Sequence, residues 1–200
     1  MKNLMQYGLI AVALGGFYLY GKFNDSDVSY AEDPIDLNAV LDVTVDTLYT
    51  YNDSLSAQDE AILNADSAFV GFAESLAENY NAAQPALYTS TIGVMPRADS
   101  SLLAYDDVNN NNELDEAEDA LFLIEVDGEN ARIIASSRSG AVNDHHFSGT
   151  GLLAGYLIGS MMSRQSLAGV NSSTLAKKQP ISSQQAAKAR AGSGSHSKGK

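Results

Sequence analysis

Residues 101–126 read Ser-Leu-Leu-Ala-Tyr-Asp-Asp-Val-Asn-Asn-Asn-Asn-Glu-Leu-Asp-Glu-Ala-Glu-Asp-Ala-Leu-Phe-Leu-Ile-Glu-Val. Short apolar runs stand at both ends of a polar, acidic centre. Runs of this length bounded by turn-forming residues read as strands. The centre is then a long connection between two strands, Leu102–Asp106 and Leu121–Val126. Ala86–Met95 and Ala131–Ser136 are further strand candidates on either side. Pro96–Ser100 turns the first pair. Asp127-Gly128-Glu129-Asn130 is a hairpin loop that would set Glu125 opposite Arg132, a favourable cross-strand pair.

Upstream the period changes to that of a helix. Asp33 can cap a first helix over Pro34–Tyr51, with Leu37, Val40, Leu41, Val45 and Leu48 on one face. The β-branched Val43, Thr44, Val45 and Thr47 weigh against it. Ser56 can cap a second helix, with Asp59 in its first turn. Its stripe is Ala61, Ile62, Ala65, Phe69, Phe72, Ala73, Leu76 and Tyr80, and Pro85 stops it. The predicted class is α+β: an N-terminal membrane helix, two helices followed by a small antiparallel sheet, and a disordered C-terminal tail.

Within the acidic centre, Asp107–Glu118 spaces its oxygens with purpose. Asp107, Asn109, Asn111, Asp115 and Glu118 occupy loop positions 1, 3, 5, 9 and 12, and Glu113 offers a backbone carbonyl at position 7. A hard cation that takes six to eight oxygens, calcium above all, is served by this pattern. Leu114 between them is apolar and can tie the loop to a core. The stretch resembles the calcium loop of the EF-hand family, over these twelve residues and no more. It departs from that family in three ways. Position 6 is Asn112 instead of glycine, where a positive φ is wanted and asparagine is next best. The flanks read as strands, and no second loop is present. With three charged ligands and no partner loop, binding on the order of 10⁻⁴ M is expected, as in extracellular modules. The plain alternative is an acidic, Asn-rich surface turn that holds no ion.

Charge is divided along the chain. The net charge is −13, yet Phe23–Glu129 holds 24 acids and a single base, Arg97, while His145–Lys200 holds seven bases and no acid. An acidic body of this kind repels phosphate, so no nucleic-acid partner is expected. The chain has no cysteine, which removes disulfides, thiolate metal sites and a thiol nucleophile.

Leu4–Gly21 is an uncharged apolar run between Lys2 and Lys22. Its eighteen residues span about 27 Å as a helix, close to the hydrocarbon thickness of a bilayer. Residues 1–22 therefore read as a membrane anchor or an export signal. Tyr18 and Tyr20 suit an uncleaved anchor at the interface, and Ser29-Tyr30-Ala31 suits cleavage after Ala31. Either way the acidic body, residues 32–140, is expected outside the cytoplasm, in a bacterial cell envelope or secreted.

Gly151, Gly155 and Gly159 repeat every fourth residue within residues 147–163 and resemble a glycine zipper. That stripe implies close helix association, by self-association, with a protein partner or in a membrane, with Leu152, Leu153, Leu157 and Ile158 on the other face. A buried, glycine-rich helix of the same domain is the alternative. Residues 164–200 are rich in Ser, Ala, Gly, Gln and Lys and are expected to be a disordered basic tail.

No catalytic constellation stands out. Phosphate-loop, zinc-protease and serine-hydrolase motifs are missing. Asp144-His145-His146 carries metal-binding side chains, but neighbours in sequence seldom point the same way. The reading is an exported, membrane-anchored calcium-binding protein that serves as a binding or assembly component of an envelope complex. The alternatives are a two-span membrane subunit with an acidic external domain, or an exported hydrolase.

Overall fold

The computed structural model describes residues 35–56, 65–147 and 155–193. The anchor or signal segment, the position after Ala31, Asp33, Pro34, Asp59, Ala61, Ile62 and Gly151 lie outside them. Two long helices come first: α1 (Leu37–Ser56) and α2 (Ala65–Ala82). A five-stranded sheet follows, β1 (Ile92–Pro96), β2 (Leu102–Asp106), β3 (Ala120–Asp127), β4 (Arg132–Ser137) and β5 (Val142–His146). Three shorter helices close the chain: α3 (Tyr156–Leu167), α4 (Ser172–Lys177) and α5 (Ser183–Ser193).

α1 starts at Leu37 because the Asp36 carboxylate accepts the Asn38 N–H at 2.9 Å. It runs on to Ser56, so Ser56 closes this helix instead of capping the next. Leu37, Val40, Leu41, Val45 and Leu48 are all buried. Its buried threonines satisfy their hydroxyls locally. Thr44 donates to the Val40 carbonyl at 2.7 Å and lies 2.6 Å from the Tyr80 hydroxyl on α2. Thr47 donates to Val43 and accepts from Asn79 of α2. Their hydroxyls thus tie the two helices together. On α2 the buried face is Ala68, Phe69, Phe72, Ala73, Leu76 and Tyr80. Tyr80 packs edge-on against Phe122 of β3 with ring centres 5.4 Å apart, which seats the helix layer on the sheet.

The strands are all antiparallel in the order β1-β2-β3-β4-β5, so chain order equals spatial order. Alternation divides their side chains. Ile92, Leu102, Ala104, Phe122, Ile124, Val126, Ile133 and Ala135 join the main core with α1, α2 and α3. Leu103, Ala120 and Leu123 form a smaller cluster on the other side with Met95 and Leu114. α1, α2 and α3 thus cover one face, and the 107–118 loop and α4 reach the other.

Several expectations need correction. β1 begins at Ile92, six residues later than the Ala86 limit. There the Asn81 side chain accepts the Ile92 N–H and donates to the Ile92 carbonyl, both at 2.9 Å, and so stands in for a neighbouring strand. Arg132 faces Asp127, and Glu125 faces Ile134. The connection is shifted because the Asp127 carboxylate captures the Asn130 backbone and side-chain N–H groups, with Ala131 at φ 50°. A shift of two residues keeps every side chain on its expected face. β5 is an additional strand. Its sequence, Val-Asn-Asp-His-His, has no apolar alternation because it is a half-exposed edge.

The C-terminal third departs most. Leu157, Ile158 and Met161 of α3 are at most 1% exposed and belong to the main core. Their apolar face is therefore filled by the chain's own α1 and α2. Gly155 lies against Asn52 of α1, where an added Cβ would come within 2.5 Å of its side-chain oxygen. Gly159 is exposed with open space beside it. Among the described residues no helix is long and apolar enough to cross a membrane. The expected disordered tail instead forms α4 and α5. Leu175 and Ala186 are buried, and Ile181 pairs with Val142 through backbone hydrogen bonds of 2.8 and 2.9 Å. The folded body therefore reaches well beyond residue 140.

Candidate metal centre

The acidic connection leaves β2 at Asp106 and returns at Ala120. Its base is closed by the Asp106 N–H on the Asp119 carbonyl and the Asp107 N–H on the Thr91 carbonyl, both 2.9 Å. Leu114 folds inward onto the Leu103–Leu123 cluster. Asn110 and Asn112 hold φ of 57° and 58°, the left-handed conformation that asparagine tolerates better than other side chains. These two residues let the loop curl back over itself.

The curl aims backbone N–H groups at the two terminal acids. Asp107, 1% exposed, accepts from the Asn111 and Asn112 amides, one on each oxygen at 3.1 Å. Glu118, 3% exposed, accepts from Val108 at 3.1 Å and Asp115 at 3.0 Å. Between them three ligand positions meet at one atom. Asp115 Oδ2 accepts from Asn109 Nδ2 at 2.7 Å and from Asn111 Nδ2 at 3.0 Å. The amide oxygens of these asparagines accept from the Asn111 and Glu113 N–H groups at 3.0 and 2.8 Å. The Glu113 side chain is exposed.

The loop thus brings Asn109, Asn111 and Asp115 together and encloses Asp107 and Glu118 at its ends. It does not bring the three carboxylates into one group. Among the described residues no cluster of three or more His, Cys, Asp or Glu side chains is placed to hold an ion. The reason is local: Asp107 and Glu118 are turned toward backbone amides. An ion at Asp115 would need both asparagine amides to rotate so that oxygen replaces nitrogen. That rotation costs two backbone hydrogen bonds, about 1 kcal/mol each, which charge neutralisation has to offset.

The connection concentrates negative charge. Residues 106–119 contain seven carboxylates. Asp119 is paired with Arg138 at 2.6 Å. Burial pushes the Tyr105 phenol well above its ordinary range, and Asp107, Glu118, Glu113 and Asp115 push it further. Tyr88 is raised by burial and by Asp106.

A second polar centre lies on the same sheet face, and no local pattern of residues points to it. Arg132, 3% exposed, donates from Nε to Asp127 at 2.9 Å and from Nη2 to the Leu175 carbonyl at 2.9 Å, and pairs with Asp144 through Nη1. Nearby, Lys178 pairs with Glu125. These contacts fasten the C-terminal segment to the acidic sheet. Asp144 and His146 belong to this centre, with His146 Nε2 3.4 Å from Asp144 Oδ2. His145 points to the opposite face and packs on Phe147. The Asp-His-His run is thus divided between two faces.

Compared with known proteins, the chain matches no protein family, no curated protein and no solved structure.

Proposed function

We propose that this α+β protein binds a divalent cation, calcium, in the 107–118 loop, and that the loop belongs to an exported domain held at a membrane by residues 4–21. The observation that carries the reading is the meeting of positions 3, 5 and 9 at Asp115 Oδ2. Asn109 and Asn111 stand six and four residues before Asp115, and they reach one oxygen because the backbone curls, as a cation-binding loop also must. The seven carboxylates of residues 106–119 supply the attraction. Asp107, Asn109, Asn111, the Glu113 carbonyl, Asp115 and Glu118 are the proposed ligands.

The uncharged run Leu4–Gly21 between two lysines supports the anchor, and the acidic body then stands outside the cytoplasm. A role as a binding or assembly component of an envelope complex is consistent with the open space beside Gly159.

Calorimetric titration of the full chain in detergent micelles tests the site. The native protein should give a saturable calcium heat with Kd on the order of 10⁻⁴ M. Asp115→Asn, at an exposed position that keeps the side-chain shape, should abolish it. Identical heats for both proteins would remove the site.

A further inference from the structure

A groove of about 1200 Å³ runs along the outer edge of β1, between α2 and the tip of the acidic loop. Its floor is apolar: Ile92, Val94, Met95, Pro96 and Leu114, with Tyr105 beneath. Val70, on the α2 side, is 45% exposed. The walls carry Glu74 and Glu78 from α2 and Glu113, Asp115 and Glu116 from the loop, and among the described residues no lysine or arginine is part of the lining. Its volume exceeds the roughly 300–1,000 Å³ of small-ligand pockets.

The edge strand adds a directional feature. The Asp107 N–H donates to the Thr91 carbonyl and the Arg97 N–H to the Ser101 carbonyl, so the odd-numbered backbone groups face β2 and Ile92, Val94 and Pro96 turn theirs outward. Asn81 occupies the Ile92 groups and Pro96 has no N–H. The Val94 N–H and carbonyl are therefore the outward pair directed into the groove, enough to register an extended chain but too short for a full added strand.

We infer that this groove is a docking site for an extended peptide segment of a partner protein in which lysine or arginine alternates with aliphatic residues. Charge complementarity decides the occupant. Five carboxylates above an apolar floor favour basic side chains along the walls and aliphatic ones below. Glu74 and Glu78 are one helical turn apart and exposed, and so face the same length of peptide as Glu113 and Glu116.

The test is fluorescence anisotropy of a labelled Lys-Leu alternating hexapeptide with the full chain in detergent micelles, with chelator present so that the loop's cation chemistry is not involved. The native protein should bind saturably at one peptide per chain. E74Q/E78Q should weaken binding about tenfold. D42N/D46N removes an equally spaced, exposed acidic pair from α1 and should leave binding unchanged. Circular dichroism checks that both variants fold. Equal weakening by the two pairs, equal binding of a Lys-Ser hexapeptide, or full displacement by spermine at equal charge would each overturn the proposal. So would self-association that blocks the peptide, seen by sedimentation. Because Glu74 and Glu78 are not cation ligands, failure of the calcium site and failure of the groove are separate results.

Discussion

Arg132 Nε lies 2.9 Å from Asp127 Oδ2 across the β3–β4 hairpin, with side chains 4% and 1% exposed. The pair sits where the sheet meets the C-terminal segment, since the same guanidinium donates to the Leu175 carbonyl. Removing the arginine leaves two buried carboxylates, Asp127 and Asp144, without their shared cation. Arg132→Ala should cost about 3–5 kcal/mol, read as a lowered urea midpoint.

Acid should act through Asp127. Burial raises its carboxyl, but hydrogen bonds from Asn130 and Arg132 and the arginine's charge outweigh that and hold it below the ordinary carboxylate range. A carboxyl lowered in the folded state contributes stability above its unfolded pKa of about 3.9, and that contribution is lost as pH falls through the folded value. Melting temperature should therefore fall below about pH 4. Asp127→Asn should start less stable and show a shallower acid slope in the same scans.

Asn112 offers a direct test of loop geometry. At φ 58° glycine is unstrained and a β-branched residue is not. Asn112→Gly should keep or raise stability and tighten calcium binding in the calorimeter. Asn112→Val should cost about 1–2 kcal/mol and weaken the same heat.

Gly93 is held to its size by Tyr105, because an added Cβ would lie 2.2 Å from the ring's Cζ. The ring is fully buried and has little room to yield. Gly93→Ala should destabilise by about 1–3 kcal/mol, measured by thermal melting, and should reduce peptide binding in the adjacent groove.

Leu175 distinguishes a docked C-terminus from a solvated one. Its side chain is 5% exposed. Leu175→Ala should cost about 2–3 kcal/mol and speed amide exchange in residues 172–193. No change in melting would mean that α4 is not bound to the sheet.

The chain's legibility follows its apolar content. β2, β3 and β4 were readable to within a residue or so because Leu102–Tyr105, Leu121–Val126 and Ile133–Ile134 are compact apolar runs bounded by turn residues. The buried faces of α1 and α2 were legible from their helical spacing. β5 was not, because an edge strand held by Asp144 on Arg132 needs no apolar alternation. α4 and α5 were missed because each rests on a single small anchor, Leu175 or Ala186, helped by Lys178–Glu125 and by Arg190 on the Ser139 carbonyl. Those contacts join residues 51 and 53 positions apart, a distance no local pattern encodes. In the loop, the spacing of Asn109, Asn111 and Asp115 anticipated that they meet. It could not reveal that Asp107 and Glu118 would be engaged by backbone amides.

The Leu175 carbonyl on Arg132 and the Lys178 ammonium on Glu125 have a consequence for the order of assembly. A ribosome makes the negative sheet before its neutralising clasp. Until residue 178 has emerged, Glu125 waits without that lysine and the rear of the hairpin is open to solvent. Completion of this part of the fold is therefore timed by residues made 53 positions after Glu125.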